Sequence, residues 1–234
     1  MQIEFTKNTR DYLLEMCVDL CDLENHLLQN HPNHIDLFVK LIAFLVNFKL
    51  EEPRLLSPGV TSLKSQPVFD YFENNGIHEG QKEYGTADTL MHAFIAFKER
   101  GLLGLYEARE AEGWYPVVVI TKNIPSGDSL DNIVTIYRGT SKSEYESNKY
   151  GQSWSISKKV AHGFAFVHYN RGQKIHENTP RVILQSTIRK EDVYYSDIDG
   201  TEKELIINPN KLITTPKILR EETLDINKEL EFES

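Results

Sequence analysis

Cysteine is almost absent from this chain of 234 residues, which holds only Cys17 and Cys21. On a helix these two share one face, where a disulfide is geometrically awkward. A disulfide framework is therefore excluded, and both read as reduced core thiols of a cytoplasmic protein. Long apolar runs are absent as well. The longest, Leu41-Ile42-Ala43-Phe44-Leu45-Val46, falls far short of the roughly 20 residues that a bilayer-spanning helix needs. The opening segment Met1–Lys7 has no basic stretch followed by an apolar one, so no secretory signal is expected. An excess of positive charge is also missing: 26 Lys and Arg stand against 35 Asp and Glu, a net charge of −9. That lowers the expectation of a nucleic-acid surface without removing a local basic patch. No internal repeat or low-complexity tract occurs. The group Cys17, Cys21, His26, His31 and His34 matches no zinc-ligand spacing, and no metal is expected. What the chain does have is a hydrophobic fraction of 40%, enough for a packed core.

The pattern of that hydrophobicity changes along the chain. Tyr12, Leu13, Met16, Leu20, Leu23 and Leu27 recur every three to four residues, so residues 9–50 read as helical. The run breaks at His31-Pro32-Asn33-His34, where Asn33 is the expected cap of the next helix. Ile35 to Leu50 is apolar around most of its circumference, which marks a central helix or one covered by a partner. Glu51–Pro67, with Pro53, Pro58, Gly59 and Pro67, reads as a long loop. Thr86–Glu99 is again helical, Arg100-Gly101 is a stop signal, and a short helix follows from Leu103 to Ala111. Strand-type sequence begins at Tyr115–Thr121 and continues at Ile133–Tyr137, Ser153–Ile156, Arg181–Ile188, Lys203–Ile207 and Lys211–Ile218. Pro125-Ser126-Gly127-Asp128 reads as a turn and Lys158–Tyr169 as a helix. The expected class is α+β: a helical part over 1–110, a strand-rich part over 111–220 and a charged tail over 221–234.

Three short motifs carry candidate chemistry. Glu202 and Glu204 flank Lys203 at the head of the apolar run Leu205-Ile206-Ile207. In a strand such a pair points to one face, where like charges need a partner or a task. Upstream lie Tyr137-Arg138-Gly139 and Gln152-Ser153-Trp154-Ser155. Arginine supplies a fixed-charge fork suited to phosphate, and a serine hydroxyl orients a carboxylate or a sugar hydroxyl.

In this order the motifs resemble the Arg-Ser-Glu class of ADP-ribosyltransferases, the cholera-toxin-like clan of bacterial toxins and phage effectors. The family pattern is an aromatic-Arg-Gly strand end, then Ser-Thr-Ser before a helix carrying Ala and Phe, then Glu-x-Glu entering an aliphatic strand. Trp154 stands where the family has its middle Thr, while Ala161 and Phe164 fit the helix. The likeness covers roughly residues 115–215, and residues 1–110 carry no family signal. It implies a split mixed β-sheet core and NAD as substrate, with Arg138, Gly139, Ser153, Ser155 and Phe164 around the dinucleotide. It further implies Glu204 as the catalytic carboxylate, on the ribose 2′-hydroxyl and the developing cation, with Arg138, Ser153 and Glu202 completing the catalytic set. Phe166 joins Phe164 in walling the nicotinamide, and Tyr194, Tyr195 and Asp199 fall where the family places its acceptor loop. Glu202 at its position resembles enzymes that modify arginine, so a protein arginine is the default acceptor and a nucleic acid the runner-up. The family's usual company implies a toxin or phage-conflict effector, with an antitoxin or inhibitor protein as partner. A glycohydrolase that passes ADP-ribose to water needs the same residues, and an inactive binding module is the rival from another class.

Overall fold

In the computed structural model, residues 3–50, 65–109, 113–126, 129–167 and 180–223 are described. The chain divides into two compact units, Met1–Val119 and Ile120–Ser234.

The first unit is helical. Helix α1 (Lys7–Glu15) starts on Thr6, whose hydroxyl accepts from the Thr9 N–H at 3.2 Å. It ends where Cys17 turns left-handed, with φ 57°. The Val18 N–H returns to the Leu13 carbonyl and the Cys17 N–H to that of Leu14, each at 3.0 Å, so the last carbonyls are satisfied. The expected continuous helix is therefore interrupted here. Asp19 then caps helix α2 (Leu20–Asn30) by accepting from the Cys21 and Asp22 N–H groups. Helix α3 (Ile35–Asn47) begins at His34 with no side-chain cap, so the expected capping by Asn33 does not occur. Its residues Phe38, Leu41, Ile42 and Leu45 are fully buried, which makes it the central helix of the unit. Helix α4 (Gln66–Asn74) begins where a loop was expected; Glu51–Lys64, the rest of that loop, lies outside the described residues. Helix α5 (Lys82–Ala108) is longer than expected, but Gly101 breaks it at φ 63°, where the stop signal lies. Tyr115–Thr121 is not a strand. It contributes one bridge, Val118 opposite Val18, and its Val117 carbonyl and Val119 N–H bond the Asp19 N–H and the Cys17 carbonyl. This segment belongs to the helical unit through Val119. No helix among the described residues is long and apolar enough to cross a membrane.

One lysine closes the C-terminal end of α3. The Lys98 ammonium donates to the carbonyls of Leu45 at 2.8 Å, Val46 at 3.3 Å and Phe48, and lies 4.0 Å from the centre of the Phe48 ring. These are carbonyls that the helix leaves unpaired at its negative pole. Replacing Lys98 by Met keeps the stem and removes the donors. We expect this substitution to cost about 2–4 kcal/mol in urea unfolding followed by helical circular dichroism.

The second unit is built on a six-stranded sheet in the order β4-β5-β2-β1-β3-β6. The strands are β1 (Ile133–Ser141), β2 (Ser153–Ser155), β3 (Pro180–Arg189), β4 (Val193–Asp197), β5 (Glu204–Ile207) and β6 (Lys217–Thr223). Every pairing is antiparallel, so the expected mixed sheet is corrected. β1 pairs with β3 from Ile133 to Ser141, but with β2 only through Tyr137 opposite Ser155. β6 runs past the expected start of the tail, with Glu221 and Glu222 opposite Val182 and Arg181. The tail beyond Thr223 and the Gly127-Asp128 half of the expected turn lie outside the described residues. Helix α6 (Lys142–Ser147) follows β1 directly, and helix α7 (Lys158–His162) follows β2 and continues as a π-helical turn over Gly163–Val167. One face of the sheet gathers Ile136, Trp154, Val182, Leu184, Leu205 and Ile207. The other packs Ile183 and Tyr137 against Ala161, Ala165 and Phe166.

Candidate functional site

Strand alternation assigns each motif residue a face. Tyr137 lies opposite Ser155, and Ser155 opposite Glu204, so these three share the α7 side together with Ser153. Across that face the Ser153 hydroxyl donates to Glu204 Oε1 at 2.5 Å. Trp154 points the other way and is 2% exposed, with its indole N–H on the Gly151 carbonyl at 3.0 Å. The residue that departs from the family pattern is therefore a core aromatic satisfied at its polar end.

Arg138 does not stand beside the serine and glutamate side chains. It follows Tyr137, so its side chain leaves β1 on the Trp154 side and reaches β2 through backbone, Nη1 donating to the Ser153 carbonyl at 2.5 Å. The rest of its fork holds Glu144 of α6: Nε to Oε1 at 2.7 Å and Nη2 to Oε2 at 3.1 Å. Glu144 also accepts from the Thr140 hydroxyl at 2.6 Å and the Gly151 N–H at 3.1 Å. Burial raises the Glu144 carboxyl, but the hydrogen bonds and charge of Arg138, with Thr140 and Gly151, outweigh it and hold the group below the usual range. Sequence reasoning missed Glu144. The only signal for it was a carboxylate six residues after the arginine, just beyond a serine able to cap a helix.

Glu202 and Glu204 are not presented by one strand. β5 starts at Glu204, and Lys203 before it is left-handed at φ 47°. The i, i+2 alternation therefore does not apply, and this expectation is corrected. Glu202 is exposed and its position comes from the turn. Its carbonyl accepts from the buried Ser155 hydroxyl at 2.8 Å, and the Ser155 hydroxyl oxygen in turn accepts from the Ser157 N–H at 3.0 Å. The Glu202 residue lines a groove of about 560 Å³ together with Phe164, Ser157, Lys159, His162 and Lys203. Phe164 is thus a groove wall, whereas Phe166 is 6% exposed and belongs to the core.

Gly139 meets the protein itself. A Cβ at this position would collide with the Ala161 carbonyl and the Ala165 N–H, so the close approach it permits is that of α7 and the π-helical turn. Tyr194 and Tyr195 lie in β4 and line a separate polar groove of about 500 Å³ with Asn123, Ser126 and Lys190. Asp199 lies in the turn after β4, and the Asp197 carboxylate accepts from the Gly200 N–H at 2.9 Å. In the helical unit, Cys17 is buried and Cys21 exposed, so only the first is a core thiol. His26 stacks on Trp114 at 3.8 Å, His31 lies 2.9 Å from the Thr86 hydroxyl, and His34 lies 3.6 Å from Glu83. No group of three or more His, Cys, Asp or Glu among the described residues is arranged to hold a metal. His168 and Tyr169, the end of the helix expected over Lys158–Tyr169, lie outside the described residues.

No protein-family model, curated protein or solved structure matches this chain.

Two outcomes follow. Because the folded Glu144 carboxyl is depressed below its unfolded value of about 4.3, the unfolded chain binds the proton first as pH falls. The stability contributed by Glu144 is complete above that value and is lost as pH drops through the folded one. Unfolding free energies between pH 6 and pH 3 should fall, and less steeply in Glu144→Gln, which starts about 2–4 kcal/mol lower because Arg138 loses its partner. Gly139→Ala should cost about 1–3 kcal/mol by forcing α7 off β1, read as a lower thermal midpoint.

Proposed function

We propose that this protein is an NAD-dependent mono-ADP-ribosyltransferase that passes ADP-ribose from NAD to a macromolecular acceptor. The observation that carries the reading is the 2.5 Å hydrogen bond from the Ser153 hydroxyl to the Glu204 carboxylate, across adjacent antiparallel strands. It is supported by the sheet order, in which the strands bearing Glu204, Ser153 and Arg138 are neighbours.

The chemistry asked of these groups is modest. When the bond between nicotinamide and ribose C1′ breaks, its electron pair leaves with nicotinamide and positive charge develops on the sugar. A carboxylate fixed beforehand near that charge stabilises the transition state more than the ground state. Glu204 fills this role, and Ser153 fixes its direction. The acceptor then bonds to C1′ and gives up its proton, for which Glu202, on the groove rim, is the acceptor-side base. Arg138, whose fork is taken by Glu144 and the Ser153 carbonyl, is a positioning residue for β2 in this arrangement. NAD meets the remaining requirements through Phe164 as an aromatic wall and Ser153 as a hydroxyl partner.

Incubation with NAD labelled on its adenylate, alone and with cell lysate, tests the assignment. Wild-type protein should release nicotinamide, and Glu204→Gln should do so about 100- to 1,000-fold more slowly with its fold retained. Label removed by protease marks a protein acceptor, label removed by nuclease a nucleic acid, and free ADP-ribose alone a glycohydrolase. Absence of turnover, or equal turnover by the variant, overturns the assignment.

A further inference from the structure

The second unit carries a third groove, of about 420 Å³, on the far side of α7 from Glu202. Its walls are Lys158, Lys159, His162 and Arg220, over a floor of Ile183 and Leu219. Lys159 and His162 also line the groove that holds Glu202 and Phe164, so the two grooves adjoin across these side chains. Along the combined path the charged side chains are Lys158, Lys159, Lys203 and Arg220 on one side of the balance and Glu202 on the other. In a chain of net charge −9 this is a local reversal of sign. Arg220 shares its charge with Glu222, through Nε at 2.6 Å, and its Nη1 stands 3.0 Å from His162 Nε2, so it is held in place. Lys158, Lys159 and Lys203 are exposed.

We infer that these adjoining grooves bind single-stranded nucleic acid, with phosphates on Lys158, Lys159 and Arg220 and a base against Phe164. Cations interleaved with an aromatic wall and apolar floor suit a strand whose bases are unstacked, since every base offers a face to stack and every linkage a charge. A duplex presents its charge over a broad front, which an acidic protein with one narrow basic path does not match. An acidic peptide would find the lysines but offers no base to stack on Phe164.

On the transferase reading, and only there, the bound strand is also the acceptor, its base giving way to NAD at Phe164 while its phosphates stay on the lysines. A nucleotide nitrogen or oxygen bonds to ribose C1′ as nicotinamide departs with the electron pair, and its proton passes to Glu202. Binding itself does not depend on that reading.

Fluorescence anisotropy with a short labelled RNA or DNA strand, without NAD and across a salt series, tests the inference. Wild-type protein should bind, with log K falling against log salt by about 0.7 per phosphate contact. Lys158→Gln/Lys159→Gln should bind at least about tenfold more weakly with a slope flatter by about 1.4, its thermal midpoint unchanged. Arg220→Gln should weaken binding in the same direction. No binding at low salt, undiminished binding by the double variant, or equal binding of a labelled polyglutamate would overturn the inference, whatever the NAD assay returns. A bound strand that never acquires label leaves the track established and removes only its role as acceptor.

Discussion

A guanidinium stands where a β-ladder is thin. β1 and β2 meet through one residue pair, Tyr137 opposite Ser155, which is too little to fix the other end of β2. Arg138 spans the gap, gripping the Ser153 carbonyl with one nitrogen and Glu144 with two others. Glu144 in turn takes the Gly151 N–H just before β2 and the Thr140 hydroxyl at the end of β1. Two charges about one-fifth exposed would cost more in lost hydration than they return unless nearly all their hydrogen bonds were made. Here both carboxylate oxygens and three guanidinium nitrogens are engaged. The position of Ser153, and through its hydroxyl that of Glu204, depends on this cluster.

The rest of the sheet is organised so that the two faces do different things. Trp154 fills the core side of β2 while Ser153 and Ser155 occupy the other, an alternation that a three-residue strand can express only once. Gly139 lets α7 approach β1 down to backbone contact, which sets the helix close over the serine side of the sheet. Any side chain at 139 would lift α7, and with it the groove walls Lys159, His162 and Phe164. The core and the groove are thus coupled through one missing Cβ.

Much of this was legible in the sequence because it depends on local pattern. The helices around Leu23, Leu41 and Phe94, the strands around Ile136, Leu184 and Ile206, and the break at Gly101 all follow from periodicity and punctuation. The misses have physical causes. The stop after α1 uses a left-handed Cys17 where glycine is usual, so no signal marked it. Tyr115–Thr121 has strand composition, but its only bridge partner among the described residues is Val18, a tertiary fact invisible in composition. In the site, the Ser153–Glu204 pair fits the expectation that a serine orients a carboxylate. The shared face of Glu202 and Glu204 does not survive, because a left-handed Lys203 interrupts the strand between them. Glu144 was hidden because its meaning lies in where Arg138 turns, and alternation is reliable for Cβ direction but not for the far end of a long side chain.

The interruption at Lys203 separates two carboxylates that the motif sets two residues apart. Glu204 is held by the sheet, through register with Ser155 and the Ser153 hydroxyl. Glu202 is held by a turn, through its own carbonyl on the Ser155 hydroxyl and the Asp197 cap on Gly200. On the proposed reading, the carboxylate that stabilises the cation is therefore rigid, while the carboxylate that meets the acceptor sits on a surface turn beside the basic path. On that reading, substitutions in the turn or on the exposed side of α7 change what is recognised without disturbing the register that fixes Glu204. On the same reading, an acidic chain presents cations where a polyanion docks, since net charge describes the whole molecule whereas screening confines a surface interaction to within about 8–10 Å of the charges that make it.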